Sequence, residues 1–364
     1  MTDSERLLGT LLKTSEKAAN IARVCRQNEA LFQLLIQEKS EEEKNPRFFH
    51  DFKTLADVLI QETIKHDIGL EFPQLAKRVR GEETNVFSNT LGTTVTVEVK
   101  PTQTETENLL AEILDNNTTT AEVLAKEIHR EIDISEIPVD TGIDDLIFNI
   151  DVEDLAIWVD PIDATADYIS GNNVVDETTN LHTSGLRCVT VLIGAYSRSS
   201  GDPILGVINQ PFYTCEDSQW KGHCYWGYYN NEISQFSFSK PERVTNTILV
   251  SRCEDPTIRS KLEDKGYRLM EVSGVGYKIL SVATGLADAY ILSKGSTFKW
   301  DTCGPQALLN SVGGSIFDFN KYTYATSDLD LKYHLKEENH ANRGGLFAFN
   351  NLFTLFRISS IGFP

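Results

Sequence analysis

Apolar residues recur at helical spacing over the first part of the chain. Three short stretches, 7–12, 21–25 and 31–35, place apolar side chains three or four positions apart, which is typical of helices that bury one face. Basic and acidic residues are mixed among them, so the pattern favours a core-facing helical segment over a membrane-surface helix. The charged run 39–46 ends in proline and predicts a solvated loop, and a second helix is predicted over 54–64.

The pattern changes from residue 155 onward. Apolar runs separated by polar residues or glycine predict buried strands over 155–159, 186–195 and 204–208. After about residue 240 the predicted elements alternate: strands at 248–251, 267–272, 286–292 and 314–319, and helices at 256–265, at 276–285 and from about Asp301. Alternation of this kind indicates an α/β layer.

The two patterns predict two lobes. An α+β lobe is expected over 1–240 and an α/β lobe over 241–364, with the boundary in the stretch 239–242. The length of 364 residues fits about two packed units. With 40% apolar and 24% charged residues, the composition is that of a globular protein that can bury a sizeable core.

The charge balance narrows the possible partners. The chain has 34 Lys and Arg against 53 Asp and Glu, a formal net charge of −19. Nucleic acids and anionic membranes require a basic surface, so neither is expected as a main partner. An acidic protein that holds an anionic substrate needs local cations, and bound metal ions are one way to supply them.

Targeting and cysteine patterns point to the cytoplasm. The N-terminal residues contain no apolar signal core, and no apolar run reaches the ~18 residues that a membrane span requires. The six cysteines are widely scattered and form no C-x-x-C pair, so reduced thiols in a cytoplasmic protein are expected. The seven histidines include no i, i+4 pair, which argues against a zinc hydrolase.

The strongest local chemical signal follows the predicted strand 155–159. Asp160-Pro161-Ile162-Asp163 places two carboxylates three residues apart at the end of this strand, where α/β proteins bind ligands. Carboxylate oxygens suit Mg²⁺. Ala164 and Thr165 then open a predicted helix, whose free N–H groups can hold a phosphate. The structural alternative is an Asx-type turn in which Asp163 only caps the helix.

Three further acidic sites strengthen the metal interpretation when they are taken together. Asp57 lies near the start of the second predicted helix, Glu82 and Glu83 follow a glycine, and Asp301 lies at the expected N-terminus of a helix. Pro305 is expected in the first turn of that helix. Each of these acids alone has a structural interpretation as a helix cap or a solvated loop residue. The acidic stretch 131–154, which contains neither Lys nor Arg, is interpreted as a surface insertion.

Together and in this order, these acids resemble the motifs of the lithium-sensitive, Mg²⁺-dependent phosphatase superfamily. That superfamily includes inositol monophosphatases, bisphosphate nucleotidases and fructose-1,6-bisphosphatases. Further segments are similar to its members that act on inositol polyphosphates, namely 15–23, 51–59, 206–212, 220–227 and 297–301. The resemblance extends from about Ser15 to Gly345, and it implies a layered αβαβα sandwich of the sugar-phosphatase type.

The resemblance implies a set of metal ligands. Glu82, Asp160 and the carbonyl oxygen of Ile162 are expected to hold one Mg²⁺, while Asp160, Asp163 and Asp301 hold a second. Asp57 and Glu83 assist a third, so that two or three ions are expected. Paired ions can clamp a phosphoryl group and lower the pKa of a bound water.

The expected reaction is hydrolysis by a metal-activated water. Glu82 and Thr165 are the candidates that orient this water, and Asp57 is counted with them as catalytic. The resemblance implies removal of the 1-phosphate from inositol 1,4-bisphosphate and inositol 1,3,4-trisphosphate, with inhibition by Li⁺. The partners expected are therefore small inositol polyphosphates, and a monomer is expected.

Substrate contacts are expected at two places. Asp163, Ala164 and Thr165 form the first, at the predicted helix start. The second is a glycine-rich turn that resembles the substrate-binding turn of the superfamily; its expected contacts are Ser273, Gly274, Gly276 and Lys278. Glycines allow close backbone approach, and the lysine ammonium is predicted to meet a phosphate that is not cleaved.

Two other functions remain open at this point. One is a 3′(2′),5′-bisphosphate nucleotidase of the same superfamily, and the other is a non-catalytic protein that binds inositol phosphates. An aspartyl-phosphate enzyme is disfavoured because the two aspartates lie one residue too far apart for its motif. A kinase is disfavoured because its phosphate-binding and catalytic loop motifs do not occur in the sequence.

The chain departs from the superfamily pattern at three places. Ala164 stands where Ser or Gly is usual, and Asp167 brings a carboxylate close to the proposed phosphate site. If position 164 offers only its backbone N–H, alanine preserves the function; if a hydroxyl is required there, the affinity for substrate should fall. The C-terminal segment 351–364 does not resemble the usual ending and is assigned no role.

Overall fold

The structure is a computed structural model that describes residues 2–27, 29–40, 42–45, 51–143, 146–241, 244–324, 326–334 and 340–363. Asp144 and Asp145 of the predicted acidic insertion lie outside the described residues. So do Glu242 of the predicted lobe boundary and both Glu41 and Pro46 of the predicted loop.

Eleven α-helices occur in the described part of the chain. They are α1 (Asp3–Arg26), α2 (Glu29–Leu34), α3 (Leu55–Glu71), α4 (Gln103–Ile113), α5 (Thr118–His129), α6 (Thr165–Ser170), α7 (Pro256–Asp264), α8 (Val275–Ala283), α9 (Lys299–Val312), α10 (Phe319–Thr323) and α11 (Leu352–Ser359).

Seventeen strands occur in the described residues. They are β1 (Ile36–Glu38), β2 (Phe52–Thr54), β3 (Val79–Gly81), β4 (Val86–Ser88), β5 (Thr94–Thr96), β6 (Leu155–Asp163), β7 (Val174–Asp176), β8 (Leu181–Ser184), β9 (Thr190–Ser197), β10 (Pro203–Glu216), β11 (Gln219–Tyr229), β12 (Ser234–Phe236), β13 (Thr247–Val250), β14 (Arg268–Glu271), β15 (Ala289–Leu292), β16 (Ser315–Asp318) and β17 (Leu346–Phe349).

Two larger sheets organise the molecule. The first has six strands in the order β12-β11-β10-β9-β6-β3 and is antiparallel except for the parallel β3–β6 pair. The second has five strands in the order β14-β13-β15-β17-β16. Its β13 pairs in parallel with β14 and β15, whereas β17 runs antiparallel to both neighbours. The C-terminal sheet is therefore mixed.

Helices cover both faces of each sheet and produce three buried cores. The first core joins α1, α3, α4 and α5 to one face of the first sheet. The second core holds α8 and α9 between the two sheets, and the third packs α7, α10 and α11 on the outer face of the second sheet. Strand β6 contributes to two cores because its side chains alternate between the two faces of the sheet: Val159 faces the first core and Trp158 faces the second. The result is the layered αβαβα sandwich that the sequence resemblance implied.

The predicted elements are largely present, with shifted bounds. The early apolar stretches form α1 and α2, and the second predicted helix is α3, which extends to Glu71. The predicted strand 186–195 begins instead with a 3₁₀ turn at Leu186–Cys188, and β9 starts at Thr190. The predicted boundary at 239–242 falls between β12 and β13, and the division into two lobes stays a prediction.

Candidate metal centre and active site

The end of β6 places the Asp-Pro-Ile-Asp motif at the centre of the fold. All nine residues of this strand are buried. Asp160 and Asp163 meet Asp301 from α9, and one carboxylate oxygen from each lies within 4.8 Å of the others. The three side chains are at most 9% exposed. Negative charges that lie this close together and are buried away from water repel strongly unless a cation or protons neutralise them.

Close backbone packing brings α9 against the first sheet. A Cβ on Gly194 of β9 would lie 2.3 Å from the backbone nitrogen of Gly304 in α9, and a Cβ on Gly206 of β10 would lie 2.1 Å from the Gly304 carbonyl oxygen. Glycine at these positions therefore permits the contact. Because α9 lies so close to the sheet, Asp301 reaches the end of β6.

Asp301 is fixed by the start of its own helix. It is the third residue of α9, and its Oδ2 accepts the Phe298 backbone N–H at 2.6 Å. Pro305 lies inside the helix rather than in its first turn, because α9 begins at Lys299. This corrects the predicted position of Pro305.

Asp163 is held by the N-terminus of α8. Its Oδ1 accepts the Val275 N–H at 3.1 Å, and its Oδ2 accepts the Gly276 N–H at 2.7 Å. The Thr190 hydroxyl also donates to Oδ2, at 3.3 Å. Burial raises the pKa of Asp163, and these charge-assisted bonds from a helix N-terminus oppose that shift. Asp163 thus couples the metal motif to the glycine-rich turn, whose Gly274 lies against it.

Asp57 lies beneath Thr165 at the start of α3. Its Oδ2 accepts both the backbone N–H and the hydroxyl of Thr54, at 2.7 and 2.6 Å, which forms a capping box. The Thr165 hydroxyl lies 3.5 Å from Asp57 Oδ1 and 3.0 Å from the Ile162 carbonyl oxygen. Two of the three predicted catalytic residues, Asp57 and Thr165, and the predicted carbonyl ligand Ile162 are therefore neighbours.

Glu82 and Glu83 are paired with a lysine that sequence analysis did not select. Lys39 Nζ lies 2.5 Å from Glu82 Oε1 and 2.7 Å from Glu83 Oε1, and the lysine side chain is 4% exposed. The prediction of a solvated loop is therefore wrong for Lys39, because its charge is satisfied inside the site. The partner Glu82 lies 43 positions away, and no local pattern marks a pairing at that distance.

Burial and crowding of like charges perturb the acids. Burial, opposed by Lys39 and reinforced by Glu82, raises the pKa of Glu83 to about 8. Burial also raises the pKa of Asp57 to about 6. Burial, followed by the charges of Glu82 and Asp163, raises the pKa of Asp160 well above its usual value. The acids of the predicted metal site therefore influence one another's protonation and do not act only as separate helix caps. They are Asp57, Glu82, Glu83, Asp160, Asp163 and Asp301.

The donor set fits a hard divalent cation. Asp160 Oδ1 is buried and has no hydrogen-bond partner among the described residues, an arrangement that is costly unless something binds there. The surrounding donors are carboxylate oxygens and a backbone carbonyl, the ligands that Mg²⁺ prefers. A cation at this place would also relieve the repulsion among the three aspartates.

The predicted substrate turn is present, but Lys278 does not face an open crevice. Ser273 and Gly274 precede α8, and Gly276 lies in its first turn. Lys278 is 4% exposed; its ammonium donates to the Val272 carbonyl at 3.0 Å and lies 4.9 Å from the Tyr290 ring centroid. The expectation that this ammonium meets a substrate phosphate is not supported, because it is already satisfied in the interior.

Position 164 adopts an unusual backbone conformation. Ala164 precedes α6 with φ 70° and ψ 45°, in the left-handed region. Asp167, one turn later, accepts the Gly185 N–H at 2.6 Å. Its carboxylate is therefore engaged in holding a neighbouring loop. The structure thus gives Asp167 a structural contact near the proposed phosphate site.

The molecule is thus a layered α/β protein with a buried cluster of three aspartates where β6 meets α9, and comparison with known proteins identifies the family. The chain belongs to the inositol monophosphatase family, whose model matches residues 59–346. This confirms the resemblance drawn from the motifs.

Curated relatives extend the match over nearly the whole chain. The inositol polyphosphate 1-phosphatase of Mus musculus is 43% identical over 375 residues, which cover 95% of this chain and 94% of the relative. The enzyme of that name from Homo sapiens is 40% identical over 378 residues, with the same coverage. The 3′(2′),5′-bisphosphate nucleotidase 1 of Homo sapiens is 33% identical over 210 residues, which cover 54% of this chain and 58% of that protein.

A solved structure shares the fold. The extragenic suppressor protein suhB from Bartonella henselae superimposes with a TM-score of 0.53, at 12% identity, over 98% of both chains. This likeness confirms the predicted fold class. None of the described helices is long and apolar enough to span a membrane.

Proposed function

We propose that this protein is a Mg²⁺-dependent phosphomonoesterase that removes the 1-phosphate from inositol 1,4-bisphosphate and inositol 1,3,4-trisphosphate. The observation that carries the proposal is the buried cluster of Asp160, Asp163 and Asp301, in which Asp160 Oδ1 lacks a hydrogen-bond partner among the described residues. The near full-length similarity to inositol polyphosphate 1-phosphatases supports the substrate class.

The acids form two groups, the three clustered aspartates and the group of Asp57, Glu82 and Glu83, which would hold two or three metal ions between them. Asp160, Asp163 and Asp301 would hold one Mg²⁺. Glu82, with Asp160 and the Ile162 carbonyl, would hold another. Asp57 and Glu83 lie beside these ligands and would support a third ion. Bound Mg²⁺ supplies Lewis-acid polarisation of phosphoryl oxygens and lowers the pKa of a coordinated water.

The side chains around the cluster orient the nucleophilic water. The Thr165 hydroxyl can donate to Asp57 Oδ1 or to the Ile162 carbonyl, and its lone pairs can then accept a hydrogen bond from a water. The Glu82 carboxylate would also bind this water and help to orient it. Asp57 lies beside Thr165 and would be an acceptor for the proton that this water gives up.

The glycine-rich turn would bind the substrate through its backbone. Gly274 and Gly276 lie against Asp163 at the start of α8, and with Ser273 they would contact the inositol phosphate together with Ala164 and Thr165. Li⁺ is proposed to inhibit by occupying one of the cation positions. All six cysteines are free thiols, which supports the proposed cytoplasmic location, and a monomer stays a prediction.

A phosphate-release assay tests the function directly. The purified protein is titrated with Mg²⁺, with and without Li⁺, on inositol 1,4-bisphosphate, inositol 1,3,4-trisphosphate, inositol 1-phosphate and adenosine 3′,5′-bisphosphate. We expect Mg²⁺-dependent, Li⁺-sensitive release from the two inositol polyphosphates. Preferred release from the adenosine nucleotide would identify a bisphosphate nucleotidase, and binding without release would identify a non-catalytic protein.

A further inference from the structure

Gln61 makes a pair of hydrogen bonds to one backbone residue of the metal site. It lies on α3, one turn after Asp57, and is fully buried. Its side-chain Nε2 donates to the Glu83 carbonyl at 2.6 Å, and its Oε1 accepts the Glu83 N–H at 2.9 Å. A single amide therefore satisfies both main-chain groups of Glu83, as a neighbouring strand would.

This contact begins where the sheet pairing of β3 ends. Gly81, the last residue of β3, is paired with Val159 of β6. Glu82 and Glu83 follow without a strand partner in the part of the chain that the structure describes, and buried main-chain groups left unpaired there would cost about 1–3 kcal/mol each. The Gln61 amide replaces the missing strand.

Gly81 is required for the amide to reach this position. A Cβ at Gly81 would lie 2.0 Å from Gln61 Oε1 and 2.8 Å from the Val159 carbonyl oxygen. Any larger residue would push the amide away or displace β3. The glycine before the two glutamates thus has a steric reason that the motif alone does not show.

We propose that Gln61 is a positioning residue that fixes the Glu82–Glu83 group of metal ligands relative to Asp57. It would touch neither metal nor substrate. Because Asp57 and Gln61 lie on adjacent turns of α3, the helix holds all three carboxylates in one frame. The proposal rests on the proposed function, since it assumes that these acids bind metal.

The three clustered aspartates are held by contacts that do not involve Gln61, so the loss of Gln61 is expected to affect the two groups of acids differently. Asp163 is fixed by Val275 and Gly276, and Asp301 is fixed by Phe298. Loss of the Gln61 amide should therefore weaken cation binding at Glu82 and Glu83 far more than binding at the three aspartates.

The test measures Mn²⁺ binding to the metal-free protein by the electron paramagnetic resonance signal of free Mn²⁺. Glu82→Gln and Asp301→Asn assign the binding classes of the wild-type protein to the two groups of acids. Gln61→Met keeps the approximate shape and removes both hydrogen bonds. We expect it to raise the Kd of the Glu82 class by about 10–100-fold, the usual effect of removing a group that orients a ligand, and to leave the other class within about twofold.

Asn89 provides a matched control. Its buried amide bridges backbone groups in the same way, with Oδ1 accepting the N–H groups of Leu91 and Thr93 and Nδ2 donating to Ile113. Asn89→Leu should lower thermal stability like Gln61→Met but leave both Mn²⁺ classes unchanged. If Gln61→Met does not fold, Gln61→Asn, which retracts the amide by one methylene, should show the same selective loss.

Three results would overturn the proposal. Unchanged Mn²⁺ binding in Gln61→Met or equal weakening of both classes would remove the positioning role, and the same loss in Asn89→Leu would reduce it to general stability. A wild-type protein that binds no Mn²⁺ would instead reject the proposed function itself, so the two failures are distinguishable.

Discussion

The backbone at Ala164 is a single-residue feature with a measurable cost. A non-glycine residue in the left-handed region loses about 1–2 kcal/mol, because Cβ crowds the following carbonyl. Glycine avoids this cost. However, it also increases the conformational entropy of the unfolded chain, which lowers the gain in stability by about 0.5–1 kcal/mol. Position 164 is therefore strained at the point where a phosphate is proposed to bind.

Ala164→Gly should stabilise the protein by a net ~0.5–1 kcal/mol. The free energy of unfolding from urea titration measures this. The neighbouring Ala166 is exposed and lies within α6, so Ala166→Gly should destabilise by a similar amount. A decrease in stability for both variants would show that Ala164 is not strained.

Asp163 carries both a metal role and a structural role. Asp163→Asn keeps the shape but removes the charge, and its amide nitrogen cannot accept one of the two N–H groups from α8. Turnover should fall by about 10²–10³-fold or more, while stability falls by only about 1–3 kcal/mol. Phosphate release at saturating Mg²⁺, together with a thermal melt, separates the two effects. Residual turnover within tenfold of wild type would remove Asp163 from the proposed ligands.

At the scale of elements, α3 is the helix that most directly builds the site. It presents Asp57 in its first turn and Gln61 one turn later, and Thr54 caps its start. The apolar pattern of residues 54–64 was enough to predict this helix, because buried positions recur on one face. It could not predict that a polar side chain on the same helix would reach the backbone of Glu83, since that contact depends on how α3 packs beside β3.

Helices α3 and α4 begin with the same kind of capping box. Comparing variants of the two caps separates the effect of a cap on stability from its effect on the metal site. Thr54→Ala and Thr102→Ala remove the same kind of cap, so each should cost about 1 kcal/mol of stability. Only Thr54 also holds Asp57. Thr54→Ala should therefore also lower the apparent Mg²⁺ affinity in the release assay, whereas Thr102→Ala should not. Equal Mg²⁺ dependence of the two variants would separate Asp57 from the metal site.

At the scale of the whole molecule, the sequence could predict the acids of the site better than its cations. The strand run before Asp160 and the order of the acidic motifs carried the resemblance that implied the fold class, and the structure brings Asp160, Asp163 and Asp301 together. The positions of Lys39 and Lys278 depend on tertiary packing, which places both ammonium groups in the interior. Helices α4 and α5 were not predicted. The mixed topology of the second sheet also depends on β17, a strand that no sequence pattern was used to predict.

The balance of charge in the site makes the stability of the metal-free protein dependent on pH. Burial raises the pKa of Asp57 from 3.8 to about 6 and that of Glu83 from 4.5 to about 8. Each carboxyl group therefore holds its proton to a higher pH in the folded state than in the unfolded state. Between about pH 4 and pH 8, these two groups make the folded protein most stable at the low end, and the stability falls as the pH rises toward 8. Acids elsewhere with lowered pKa values oppose this trend mainly below about pH 4.5.

Metal should reverse this dependence, because Mg²⁺ binds the deprotonated carboxylates and its affinity rises with pH. We therefore expect the melting temperature of the chelated protein to fall between pH 5 and 8, and the stabilisation by added Mg²⁺ to increase over the same range. Thermal melts at each pH, with a chelator or with Mg²⁺ at constant ionic strength, measure both trends; Na⁺ at matched ionic strength controls for screening of the −19 charge. A Mg²⁺ effect that is independent of pH would mean that the buried acids are not its ligands.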